Sequence, residues 1–192
     1  MSNECVWMIE VELKFEVDSL REMRARFQAL GAVRHGESVQ VDEYLNDPIR
    51  DFAKEDKALR IRSSGEGYRL TYKGPGLDSV AKARHEVEVH LESEASAKLL
   101  RSVFHQIGFK SVANVVKSRE TMVVEWAGDK VEVCLDEVDE VGAFVELELV
   151  VGSSAEKDVA KQKLMSLAEQ VGLCGSLQTS YLELLLRRRG DI

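Results

Sequence analysis

Pairs of like charges recur two residues apart in this chain, each interrupted by one aliphatic residue, among them Glu10/Glu12, Glu146/Glu148 and Arg60/Arg62. In an extended segment such residues share a face and lie about 7 Å apart. Water tolerates that spacing, but a partly dry site does not unless a guest of opposite charge is present. Carboxylates gathered from separate strands suit a hard divalent cation such as Mg2+ or Mn2+, which takes oxygen ligands. Paired arginines and lysines suit phosphate oxygens. Together they imply a polyphosphate bound with its metals.

These pairs need strands to position them. In the first, Ile9, Val11, Leu13 and Phe15 alternate with Glu10, Glu12, Lys14 and Glu16. Leu59 and Ile61 alternate with Arg60 and Arg62, and Leu70 and Tyr72 with Arg69, Thr71 and Lys73. Val87, Val89 and Leu91 oppose Arg84, Glu86, Glu88 and His90. Val131, Val133 and Leu135 oppose Glu132 and Asp136, and Val145, Leu147 and Leu149 oppose Glu146 and Glu148. This period of two predicts strands near 8–16, 38–46, 57–63, 67–73, 82–91, 115–126, 129–136 and 143–151. A solvated outer face would account for any one of them. Read together, they describe one apolar sheet face and one face dense in charges of both signs. If the sheet curls, acids form one pole and bases line the rest.

Four stretches read as helices. Ser19-Leu20-Arg21-Glu22, Ser153-Ser154-Ala155-Glu156 and Ser180-Tyr181-Leu182-Glu183 fit capping boxes, and another helix begins near Ser93. The first three in chain order stop at Gly31, Gly108 and Gly172, and the last ends in Arg187-Arg188-Arg189. Pro75 and Gly76 suit a type II turn, and Gly128-Asp129 a tight hairpin.

Composition narrows the class. With 44% apolar and 31% charged residues, the chain can bury a core and is not disordered. Cys5, Cys134 and Cys174 have no C-x-x-C spacing, which argues against disulfides and zinc and for a reducing cytoplasm. No run approaches the roughly 20 apolar residues of a membrane span, and the start lacks the basic flank of a secretory signal. A net charge of −8 with no basic tail argues against nucleic-acid binding.

The motifs resemble a known family. Glu10-Val11-Glu12-Leu13-Lys14 is similar to the E-x-E-x-K signature that opens CYTH-domain proteins, the triphosphate tunnel metalloenzymes. Gln40-x-Asp42-x-Tyr44, Ala58-Leu59-Arg60-Ile61-Arg62, Thr71-Tyr72-Lys73-Gly74-Pro75, Lys117-x-Arg119, Leu135-Asp136-Glu137-Val138 and Phe144-Val145-Glu146-Leu147-Glu148 follow in the family's order. Ser180-Tyr181-Leu182-Glu183-Leu184-Leu185 resembles the terminal helix of the class IV adenylate cyclase-like branch.

The resemblance implies an α+β fold, residues 1–192 forming a single CYTH-like domain: an eight-stranded antiparallel β-barrel, open at its ends, with helices packed outside. It implies Glu10, Glu12, Asp136, Glu146 and Glu148 as metal ligands for Mg2+ or Mn2+. It implies Lys14, Arg60, Arg62, Lys73, Arg84, Lys117 and Arg119 as the substrate cradle, with Glu10, Glu12, Lys14 and Asp136 catalytic. The activity implied first is conversion of ATP to cyclic AMP and pyrophosphate. Hydrolysis of thiamine triphosphate or tripolyphosphate comes second, and a non-catalytic triphosphate-binding module third. A homodimer stays open.

Other signals carry less. His35, His85, His90 and His105 lack ligand spacing, and Ser64-Gly65-Glu66-Gly67 reads as a hairpin loop, not a phosphate loop. Cys134 shares the charged face but has no adjacent base to make it a nucleophile. Tyr181 is expected to pack the last helix. Residues 46–56 read as a flap or a plain loop.

Overall fold

The alternation closes on itself. A computed structural model describes residues 9–76, 82–153 and 155–192, and of Lys82 and Ala83 the backbone alone. Its strands are β1 (Ile9–Glu16), β2 (Val33–Asn46), β3 (Ala58–Ser64), β4 (Gly67–Lys73), β5 (Lys82–Leu91), β6 (Lys110–Trp126), β7 (Asp129–Val138) and β8 (Gly142–Val151). They form a closed barrel in the order β1-β5-β4-β3-β2-β6-β7-β8, and every pairing is antiparallel. The seam is the β1–β8 ladder, which sets Glu12 opposite Glu148 and Lys14 opposite Glu146.

Four helices complete the chain: α1 (Leu20–Ala29), α2 (Glu94–Gln106), α3 (Lys157–Gln170) and α4 (Tyr181–Arg189). Ser19, Ser93 and Ser180 each accept a backbone N–H through the side chain, which fixes where α1, α2 and α4 start. At Ser153 half of the expected box forms. The Glu156 carboxylate accepts from the backbone of Gly152 and Ser153, no side-chain oxygen caps the helix, and α3 begins only at Lys157.

The helices cover the apolar outer face. Met23 and Phe27 of α1 and Leu164 and Leu167 of α3 pack on Val11, Leu13, Val133, Leu135 and Leu147. Ala97 and Phe104 of α2 pack on Leu45, Leu59, Ile61 and Leu70. Helix α4 behaves differently. Its Tyr181 and Leu185 meet Tyr44, Val115, Val138 and Phe144, so it lies across one end of the barrel rather than along its flank.

Two strands start earlier than their periodicity suggests, β2 at Val33 and β6 at Lys110. These segments pair with β6 and β2 at their far ends and stay largely exposed, so the ladder rather than burial holds them extended. Ala127 and Gly128, both at positive φ, join β6 to β7 in a two-residue turn. The turn expected at Gly74-Pro75-Gly76 would be completed within 77–81, and 77–81, like Cys5, lie outside the described residues. No helix among the described residues is long and apolar enough to cross a membrane.

Candidate active site in the barrel

Closing the barrel turns the charged face inward. Glu12, Lys14, Asp42, Lys117, Arg119, Asp136 and Glu146 are all buried, which a solvated sheet face would not allow. Glu12, Lys14, Lys117, Arg119 and Glu146 line a cavity of about 850 Å3, within the range that holds a drug-sized ligand, and Asp42 and Asp136 bond to bases in its wall.

The acids gather at the seam. Strand β1 supplies Glu10 and Glu12, β8 supplies Glu148, and one carboxylate oxygen from each lies within 4.8 Å of the others. Burial and the neighbouring Glu10 push the Glu148 carboxyl well above its ordinary range. Three carboxylates this close together suit a divalent cation with oxygen ligands.

Two other expected acids point elsewhere. Glu146 is held by Arg119 and, at 3.2 Å, by the Lys14 ammonium. Asp136 is fully buried and accepts from Lys117 Nζ at 3.0 Å, Arg119 Nε at 2.7 Å and Nη2 at 2.6 Å, and the Tyr181 hydroxyl at 2.9 Å. Burial works to raise the Asp136 carboxyl, but Arg119 and Lys117 outweigh it and hold it low. Asp136 is thus the counter-ion of the bases, and the acid trio is completed by Glu148.

The bases surround this pole. Lys73 bonds Glu10 and, at 2.7 Å, Glu86; burial works against its charge, but the two carboxylates more than restore it. Arg60 reaches Asp42 at 3.1 Å, and Arg62 grips the same carboxylate with two bonds of 2.6 and 2.8 Å. Burial would raise the Asp42 carboxyl, yet Arg60 and Arg62 hold it well below the ordinary range. Burial and Arg119 together lower the Lys117 ammonium. Arg60 Nε is a buried donor with no hydrogen-bond partner among the described residues.

Arg84 also lines the cavity, and it pairs with the loop before β3. It donates to the Asp56 carbonyl at 3.0 Å and to its carboxylate at 2.7 Å. It therefore ties down the segment 47–57, which Asn46 and Asp47 further brace through side-chain bonds to backbone N–H groups. Cys134 faces the bore and lies with Glu132 and Glu148 in a second close group. Burial pushes its thiol well above the ordinary range, and it donates to Glu132 at 3.5 Å. That environment suppresses the thiolate, so the thiol is no nucleophile.

Two residues of the site have roles that their types alone did not reveal. Asp42 organises two arginines, and its alternation with Gln40 and Tyr44 on the inward face of β2 was the available signal. Tyr181 reaches the bore from α4, a helix whose apolar spacing reads only as packing.

A closed barrel of eight antiparallel strands with charges of both signs lining its bore defines a tunnel-shaped protein. Residues 8–181 match the family model of the CYTH domain, and the chain belongs to that family. It is 34% identical over 179 residues to a protein of Methanocaldococcus jannaschii provisionally named an adenylate cyclase, covering 92% of this chain and 98% of that one. It is 27% identical over 167 residues to the adenylate cyclase CyaB of Aeromonas hydrophila, covering 85% and 81% respectively. A solved protein of Pyrococcus horikoshii shares the fold with a TM-score of 0.84 and 36% identity, covering 94% of this chain and 99% of that one.

Proposed function

We propose that residues 1–192 form one triphosphate tunnel domain that works in the cytoplasm as a metal-dependent enzyme, converting ATP to cyclic AMP and pyrophosphate. The observation that carries this reading is the sorting of charge inside the bore, with Glu10, Glu12 and Glu148 at one pole and Lys14, Arg60, Arg62, Lys73, Lys117 and Arg119 around it. The relatives named adenylate cyclases support the choice of reaction.

Glu10, Glu12 and Glu148 would hold the metal. Bound there, Mg2+ or Mn2+ would offset charge on phosphate oxygens and make the attacking oxygen easier to deprotonate. The chain's own groups do the positioning that phosphoryl chemistry chiefly requires. Arg60, Arg62 and Arg119 present planar donor pairs to phosphate oxygens, and Lys14, Lys73 and Lys117 add point charges. Each of these bases already faces a carboxylate, so the cradle is charged before substrate arrives. Triphosphate oxygens exchange for Asp42, Asp136 and Glu86 without a bare cation being buried. The cavity continues past the cradle between residues 46–58 and α4, where Leu45, Phe52, Val112, Leu182 and Leu186 line it. That apolar end suits a nucleobase.

The test compares ATP, thiamine triphosphate and tripolyphosphate side by side, each with Mg2+ and Mn2+, against a Glu12→Ala control. Cyclic AMP formed above the control supports the cyclase. Release of orthophosphate alone would replace it with a triphosphatase. Tight binding without turnover would make the chain a binding module.

A further inference from the structure

Tyr181 is the point where the C-terminal helix meets the chemistry of the bore. The Lys14 ammonium of β1 lies 3.8 Å from its ring centroid, and the Lys117 ammonium of β6 lies 5.0 Å from it. Its hydroxyl donates to Asp136 Oδ2 of β7 at 2.9 Å. The chain leading into α4 adds two grips on the same lysine. Leu177 N–H donates to the Lys14 carbonyl at 2.7 Å, and Lys14 Nζ donates to the Thr179 carbonyl at 3.4 Å. Phe144 packs against the ring in a T-shaped arrangement, with centroids 5.1 Å apart.

Packing alone does not require this arrangement. A leucine or phenylalanine would fill the space against Phe144 and Val138, but neither could satisfy Asp136. The ring also does what a further carboxylate could not. Its π face attracts an ammonium group without bringing a negative charge that competes with a phosphate. Two lysines can thus be oriented in a dry place while keeping their attraction for an incoming anion.

We propose that Tyr181 is a positioning residue of the triphosphate cradle: its ring directs Lys14 and Lys117 at the bore, and its hydroxyl fixes the Asp136 carboxylate that orients Lys117 and Arg119. The inference rests on the triphosphate reading of the bore and adds to it the helix outside the barrel. One side chain thereby bears on four charged groups of the bore, Lys14, Lys117, Arg119 and Asp136.

The experiment is titration calorimetry with tripolyphosphate on the full chain, for wild type, Tyr181→Leu, Tyr181→Phe and Leu185→Ala. Calorimetry separates affinity from the fraction of protein able to bind. Tyr181→Leu is expected to weaken binding about tenfold at full stoichiometry, and Tyr181→Phe, which keeps the ring, to recover to within about threefold of wild type. Leu185→Ala removes a buried α4 side chain of the apolar cluster under that helix; it is expected to lower the melting temperature with affinity unchanged. If Tyr181→Leu lowers only stoichiometry or melting temperature, the residue is packing and the proposal is overturned. Failure of wild type to bind any triphosphate would overturn the reading of the bore itself. Should Tyr181→Leu not fold, lysine-selective NMR of wild type decides. Two lysine ε-methylene signals shifted upfield by the ring support the proposal, and unshifted signals overturn it.

Discussion

Asp136→Ala should be among the most damaging single changes in the bore, although it removes an acid from a site dense in acids. The carboxylate is fully buried and bonded to Lys117, Arg119 and Tyr181. Its loss leaves two cations in a dry wall, and stripping one partner from a buried ion pair costs about 3–5 kcal/mol. The lower end applies here, because Glu146 still faces Arg119 and the Tyr181 ring still faces Lys117. At 192 residues each kcal/mol moves the melting temperature by roughly 2–4 °C, so a loss of about 3 kcal/mol predicts a drop of roughly 6–12 °C. Asp136→Asn keeps the shape without the charge and should lose less. Urea unfolding of wild type and both variants, with and without tripolyphosphate, is the assay. A triphosphate that replaces the missing charge should narrow the gap between Asp136→Ala and wild type; ligand at about 100 times its Kd adds about 2.7 kcal/mol to whatever binds it. A loss under about 1 kcal/mol would refute Asp136 as the counter-ion of the bases. A gap that tripolyphosphate does not narrow would refute those bases as its cradle.

Three further outcomes are expected. Asp42 has a carboxyl pKa held below its ordinary value, so the stability it contributes is present above pH about 4 and is lost as pH falls through the folded value; Asp42→Asn should therefore be less stable than wild type at pH 7, with the gap in urea midpoint closing toward pH 3. A gap independent of pH would contradict this. Glu148→Gln removes one of three crowded acids, so without metal its melting temperature should equal or exceed that of wild type, while the rise that Mg2+ or Mn2+ gives wild type disappears; an undiminished rise would remove Glu148 from the metal site. Arg84→Ala should speed backbone hydrogen exchange across 47–57, since it cuts the bonds to Asp56; unchanged exchange there would show that Asn46 and Asp47 hold the segment unaided.

Strand periodicity is legible where one side of a strand is apolar. Ile9 to Phe15 and Val131 to Leu135 announce their faces because α1 and α3 cover one side. Val33 to Glu37 and Lys110 to Asn114 do not, because the β2–β6 ladder holds them extended with little burial on either face. The inward charges were legible as a set, since several strands carry them in one phase. Their partners were not. Whether Glu146 or Glu148 joins Glu10 and Glu12 depends on barrel register and on which carboxylate the arginines capture first. Glu146 is held closely by Arg119 and Lys14, whereas Glu148 keeps only a 3.5 Å contact to Arg119 and lies with the acid group. Asp136 was expected at a metal and is enclosed by bases for the same reason. Arg84 shares the phase of the cradle, yet Asp56 reaches it from a loop whose position no pattern in β5 encodes.

The seam between β1 and β8 joins the two ends of the barrel in sequence, with Ile9 opposite Val151 and Glu12 opposite Glu148. Pairing strands so distant costs loop-closure entropy before any contact rewards it, which makes this a slow step in forming the barrel. It is also the step that brings like charges face to face, and directly opposed like charges oppose strand pairing. Metal-free chains should then meet electrostatic resistance at this ladder as the barrel closes. Divalent cations at the acid trio would act as a clasp on maturation as well as on turnover. Refolding from urea should be faster with Mg2+ than without it, and Glu148→Gln should refold at one rate in both.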